Sequence, residues 1–159
     1  MGTRLKYEKM LLDAFPQIQQ LRVYSPGEFK VFIYAAEKDF NLSDSLKQQI
    51  EEYFKLNGLA NLQHIVKSYL CIEKDSIPPI SDPPPDIKLL ALSGKINAAG
   101  IKQSLDFYFP HLNLNIHSVS GDTVKIGAPC EIYLTDIEKM LIKDYIQEII
   151  PLGLKVMIA

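Results

Sequence analysis

A proline cluster divides this chain near its middle. The segment Ile77-Pro78-Pro79-Ile80-Ser81-Asp82-Pro83-Pro84-Pro85-Asp86 holds five of its ten prolines. Proline fixes φ, removes a backbone donor and drives the residue before it out of the α region. Neither a helix nor a central strand runs through such a stretch, which reads as a stiff extended connector of the polyproline type. The expected organisation is a first unit over residues 1–76, a linker over 77–86 and a second unit over 87–159.

The two flanks read as versions of one pattern. In the first, charged and apolar residues alternate at helical spacing over 4–14 until Phe15-Pro16. A strand is expected over 17–25, a turn at Ser25-Pro26-Gly27-Glu28 and a strand over 29–36, rich in aromatic and β-branched residues. Ser43 caps a helix over 44–56 that stops at Asn57-Gly58, and a strand follows over 63–73. In the second flank the expected order is a strand over 87–93 ended by Gly94, a helix over 98–109 stopped by Pro110, and a strand over 112–119. A turn at Ser120-Gly121-Asp122 leads to a strand over 123–134, bulged at Gly127-Ala128-Pro129. A helix over 136–149, capped by Thr135 or Asp136, and a strand over 154–158 close the chain.

The second order is that of a ferredoxin-like, split β-α-β sandwich, and the first matches it without its first strand. The expected fold class is therefore α+β: two related ferredoxin-like units, each an antiparallel sheet with its helices on one face. A local echo supports duplication, since Leu12-Asp13-Ala14-Phe15-Pro16 recurs as Leu105-Asp106-Phe107-Tyr108-Phe109-Pro110.

Composition narrows the function. With 159 residues, of which 47% are apolar, the chain can bury one ordinary core or two small ones. Its 17 basic and 19 acidic residues are spread evenly, without the basic block that phosphate neutralisation needs, so nucleic acid is an unfavoured partner. No apolar run approaches the roughly 20 residues of a membrane span, and the N-terminus lacks a signal-peptide core. Cys71 and Cys130, each beside apolar residues, read as buried reduced thiols of a cytoplasmic protein.

Concentrated chemistry is not visible. His64, His111 and His117 lack a ligand partner at helical or turn spacing and read as surface histidines. Glu51-Glu52, and Glu8 with Asp13, read as solvated helix faces. Glu37, Asp39 and Asp44 share a loop but lack the glycine of a calcium turn. Gly94 and Gly100 are not accompanied by the lysine and hydroxyl of a phosphate loop. Phe29 and Phe32 fall on opposite strand faces, unlike an RNA-stacking platform. No catalytic residue, cofactor or metal site is expected, and the chain reads as a non-enzyme.

The stretch Lys6 to Tyr34 resembles a segment of the baseplate J-like proteins, which build the wedges of contractile phage tails and related particles. The residues that carry the likeness are Tyr7-Glu8, Phe15-Pro16, Leu21 to Tyr24, Pro26-Gly27 and Val31 to Tyr34, continued by Ser43 to Phe54 and Ile65 to Ile72. The likeness covers the first half and departs from the family in the proline linker. It implies a structural role in an assembly built in the cytoplasm or carried in a tail-like particle, with other protein subunits or further copies of the chain as partners and no catalytic residues. The candidate interface is the mildly polar, uncharged strand carrying Leu112, Asn113, Leu114, Asn115 and Ile116. The alternative is a small-ligand-sensing or regulatory domain, which predicts a concave pocket between the halves with converging polar groups.

Overall fold

The structure, a computed structural model, describes residues 2–57, 61–93 and 97–159. The stop expected at Gly58 and the loop glycine Gly94 lie outside these residues. The first half runs α1 (Arg4–Ala14), β1 (Gln20–Gly27), β2 (Lys30–Ala36), a 3-10 turn (Lys38–Phe40), α2 (Asp44–Asn57), β3 (Gln63–Ser68) and the short α3 (Cys71–Lys74). The second runs α4 (Pro85–Ser93), α5 (Ala98–Tyr108), β4 (Asn115–Ser120), β5 (Thr123–Gly127), α6 (Asp136–Ile149) and β6 (Lys155–Ile158). The protein is α+β, with two three-stranded sheets.

Each sheet is mixed rather than antiparallel. β1 pairs antiparallel with β2, and β3 joins β2 in parallel; β4, β5 and β6 repeat this arrangement. The cause is the helix between the second and third strands, which returns the chain to the starting end of the sheet and so delivers a parallel neighbour. In a split β-α-β unit another strand would separate those two. Here they pair directly in both halves.

The strand expected over 87–93 is helix α4. Its residues are mostly Leu, Ala and Lys, good helix formers with a single β-branched member, and the last proline of the cluster occupies the first helical position, where its missing N–H costs nothing. The sequence there is too short for periodicity to separate strand from buried helix. β3 also stops short of the expected 73, at Ser68, and β5 ends at Gly127 rather than 134. The irregularity expected at Gly127-Ala128-Pro129 lies across the ladder instead, on β4 between Ile116 and Ser118. The first hairpin turns at Glu28-Phe29, both at φ 55°, while Pro26 and Gly27 remain in β1. Two-residue hairpins favour positive φ at both central positions because that twist matches the strands.

The halves correspond position by position. α1 and α5 each have 11 residues, capped by Thr3 and Asn97 and ended by Phe15 and Phe109, whose N–H groups return to Leu11 and Leu105. α2 and α6 each have 14, with Ser43 and Thr135 as N-terminal acceptors. Buried Leu11, Ile33 and Ile50 of the first core match Leu105, Ile126 and Ile142 of the second. Tyr53 meets the ring of Phe15 as Tyr145 meets that of Phe109. The Phe-Pro echo is thus a packing element: the aromatic ring that ends the first helix of each unit is held by a tyrosine of the second.

The units meet at their hairpin ends and through α1, which packs on α4. Thr3 Oγ1 donates to the Ala91 carbonyl, Glu28 N–H to Asp122 Oδ2, and Phe29 N–H to the Gly153 carbonyl, while Ser25 Oγ accepts from Gly153 N–H. Gly153 is at φ 91°, and a Cβ there would lie 3.2 Å from the Phe29 Cα and run into Leu62 Cδ2. Arg4 is the charged centre of the junction. Its Nη1 reaches Glu8 at 2.9 Å and its Nη2 reaches Glu148 at 2.9 Å, with all three side chains largely buried. Burial opposes the Arg4 charge, but Glu148 and then Glu8 outweigh it and raise its pKa. Glu8, expected on a solvated face, is a member of this ion cluster.

Candidate functional site

Two features stand out on the two-unit frame, an edge and a cleft. β4 is an edge strand of the second sheet. Asn115, His117, Ser118, Val119 and Ser120 are exposed along it, and it carries no Asp, Glu, Lys, Arg or Pro. Of the expected interface residues, Asn113 and Asn115 are exposed and Ile116 is half-buried, whereas Leu112 and Leu114 point into the second core at 4% and 0% exposure. The leucines anchor the edge, and the outward-facing set runs on to Val119, which is 63% exposed. Asn113 sits at φ 46°, a left-handed conformation that asparagine tolerates better than most residues. The His117 ring lies over Gly127, where a Cβ would fall 2.6 Å from its Cε1.

The cleft, of about 430 Å³, lies between the units. One wall is β1 with Arg22, Tyr24 and Pro26; a second is the linker at Pro78-Pro79-Ile80-Ser81; the third is α6 with Met140, Lys143 and Asp144. The linker is fixed to the first sheet on the face turned away from α1 and α2. Asp75 accepts from Tyr34 Oη and Lys67 Nζ, both at 2.8 Å, and Arg22 Nη2 donates to the Pro78 carbonyl at 3.1 Å. Those bonds hold the Asp75 carboxyl below the usual carboxylate range, the Lys67 bond first, and burial followed by the Asp75 bond pushes the Tyr34 hydroxyl well above its ordinary value. Arg22 Nη1 donates to the Val23 carbonyl. Among the described residues no carboxylate lies within ion-pair distance of Arg22. Burial and then the Arg4 charge lower its pKa. In sequence Arg22 is simply the polar phase of an alternating strand, and Arg4 and Glu148 are far apart, so periodicity had no means of bringing them together.

The other singled-out residues fall elsewhere. His64 is half-buried and stacked 4.6 Å from the Phe54 ring, with its Nε2 3.3 Å from Tyr7 Oη, so it is a core-flanking histidine and not a surface one. His111 and His117 are exposed. Cys71 and Cys130 are both free; the first is half-buried and the second exposed, which corrects the expectation of two buried thiols. Glu37 accepts from Ser43 Oγ and Asp39 lies in the 3-10 turn at φ 62°. Among the described residues no group of three or more His, Cys, Asp or Glu is placed to hold a metal ion, and no helix is long and apolar enough to cross a membrane. Compared with protein-family models, curated proteins and solved structures, the chain gives no significant match.

Proposed function

We propose that the chain is a structural module of a protein assembly, of the kind found in contractile-tail or prophage baseplates, and that it docks through its second unit. Both units are read here as ferredoxin-like sandwiches reduced by one strand. The observation that carries the reading is the unprotected β4 edge, with its uncharged outward face. An edge strand left without charge or proline is a template for pairing with another chain, and proteins that do not use such an edge blunt it. Helix α6, which packs on β6 at the other edge of the sheet, adds a second apolar surface to this unit. α6 exposes Ile137, Met140 and Leu141, where α2 presents Ser45, Gln48 and Gln49. The test is co-expression with the products of the genes adjoining its own. A stoichiometric complex that Asn115→Lys dissolves is the expected result. A chain that elutes alone from every pairing, or a complex indifferent to changes along β4, removes the reading.

A second reading, small-ligand sensing, is favoured by the cleft, which occupies the place between the halves where such a site was expected and has the size of a metabolite pocket. A thermal-shift screen separates the two. Reproducible stabilisation by a small molecule supports sensing.

A further inference from the structure

The cleft between the units has a charge arrangement that narrows what it can hold. Arg4, its innermost cation, is saturated: it faces two carboxylates, Glu8 and Glu148, at 2.9 Å each. Arg22 shares the cleft but, among the described residues, makes no ion pair: its hydrogen bonds go to the carbonyls of Val23 and Pro78, and its guanidinium lies over the Tyr24 ring at 5.9 Å. Two bonds leave part of its five-donor fork unused. The nearby carboxylates Glu8 and Glu148 are engaged by Arg4, so the partly desolvated Arg22 guanidinium has no ion-pair partner of its own, and an anionic ligand offsets that cost. Lys143 also lines the cleft. Lys155 does too, but leans towards Asp122 at 3.6 Å.

We propose that this cleft binds a small molecule bearing a single carboxylate, held in the fork of Arg22 with Lys143 beside it, and carrying an apolar body against Pro79, Ile80 and Met140. The inference rests on the ligand-sensing reading and specifies its ligand. Carboxylate is preferred to a multiply charged phosphate for two reasons. The planar guanidinium matches a carboxylate edge in a bidentate pair. Asp144 also lines the cleft, and its negative charge disfavours a second or third anionic group. The apolar body follows from the walls: two linker residues and a methionine of α6 face the same space. Because the linker is one wall and Arg22 grips its Pro78 carbonyl, a carboxylate that competes for Arg22 acts on the segment joining the two units.

The experiment uses matched probes on the full chain. Hexanoate and 3-phenylpropionate are compared with their uncharged amides by thermal shift and by NMR of the Arg22 side-chain N–H. At millimolar concentration the carboxylates are expected to raise the melting temperature by a few degrees and shift the Arg22 resonance, while the amides do neither. Arg22→Met abolishes both responses and Lys143→Met weakens binding severalfold. Lys143 is exposed, so its variant tests the site even where Arg22→Met fails to fold. Equal binding of acid and amide, or binding unchanged in both variants, overturns the carboxylate inference while leaving a ligand site standing. Silence of Arg22 towards every probe overturns the inference outright, and a silent metabolite screen beside it removes the sensing reading as well.

Discussion

The first strand of the first unit and the first strand of the second hold equivalent places in the fold and have opposite edges. β1 is closed. Val23 N–H donates to Glu8 Oε1, the Val23 carbonyl accepts from Arg22, Pro26 removes a donor near the strand end, and the linker is pinned beside it through Pro78. β4 has no proline, and among the described residues its outward side shows no comparable cover. The sheet faces differ in the same sense. α3 and the linker are tied to the first sheet through Tyr34, Lys67 and Asp75, whereas Lys125 is exposed and Met157 is 48% exposed on the second. The first strand of one unit is covered and that of the other is open, although the first core itself takes in Leu152 from the second half.

Helix α1 carries the sharpest form of the contrast. Its first residue is Arg4, the hub of a largely buried ion cluster, and the matching residue of α5 is exposed Ala98. Removing one partner of a buried pair leaves uncompensated charge, and here two carboxylates would face each other. Arg4→Ala is expected to cost about 3–5 kcal/mol in chemical denaturation. Ala98→Arg should change stability by only about 0.5 kcal/mol. Comparable losses at the two positions would dissolve the distinction between a locked and an open side.

The cores should by contrast respond alike. Ile50 and Ile142 are both at 0% exposure and occupy the same helix position. Each truncation to Ala should cost about 2–5 kcal/mol, and similar values would mark the interiors as equivalent. Between them lies Gly153. Its replacement by Ala combines a left-handed backbone with a contact 3.2 Å from the Phe29 Cα, so a loss of about 1–3 kcal/mol is expected. Unfolding that separates into two transitions in this variant would show that the junction, more than either core, couples the units.

A smaller effect belongs to His64, whose counterpart at the start of the other crossover strand is Val156. Burial against Phe54 holds the His64 pKa below the ordinary 6.5. The unfolded chain therefore takes up the proton more readily than the folded one. Stability is complete above about pH 6.5 and declines as pH falls below it towards the folded-state pKa. His64→Phe keeps a ring in the stack and should flatten that part of the profile. An unchanged acid limb in the variant would assign the decline to other groups.

Local chemistry made much of this legible. The caps at Thr135 and Ser43, the Phe-Pro stops and the alternation around Val31 and Ile33 placed four of the longer helices and most strands, because each signal is contained within a few residues. α4 was not legible as a helix. Seven apolar-rich residues carry no decisive period, and the proline run that ends one connector also starts a helix. Strand order was hidden for a different reason, since direct parallel pairing depends on where a crossover lands. The edge around Asn115 was found from its uncharged alternation, but the inward direction of Leu112 and Leu114 follows from the core they fill. The Arg4 cluster, which joins α1 to α6, has no sequence signature at all.

The smallest folding effect should be at the edge itself. Asn115 is exposed and its side chain donates to the Asn113 carbonyl, an adjustable contact at the strand entrance. Lysine there can extend into water, so Asn115→Lys should alter folding stability by no more than about 0.5 kcal/mol. Its consequence should be confined to association, because a charge beside an unpaired ladder must be desolvated when another strand approaches. The same reasoning predicts that Pro26→Thr on β1 restores a donor without creating a second docking edge, since Glu8 and Arg22 still occupy the Val23 backbone groups. If Pro26→Thr promoted association while Asn115→Lys left it untouched, the open edge would have been assigned to the wrong unit.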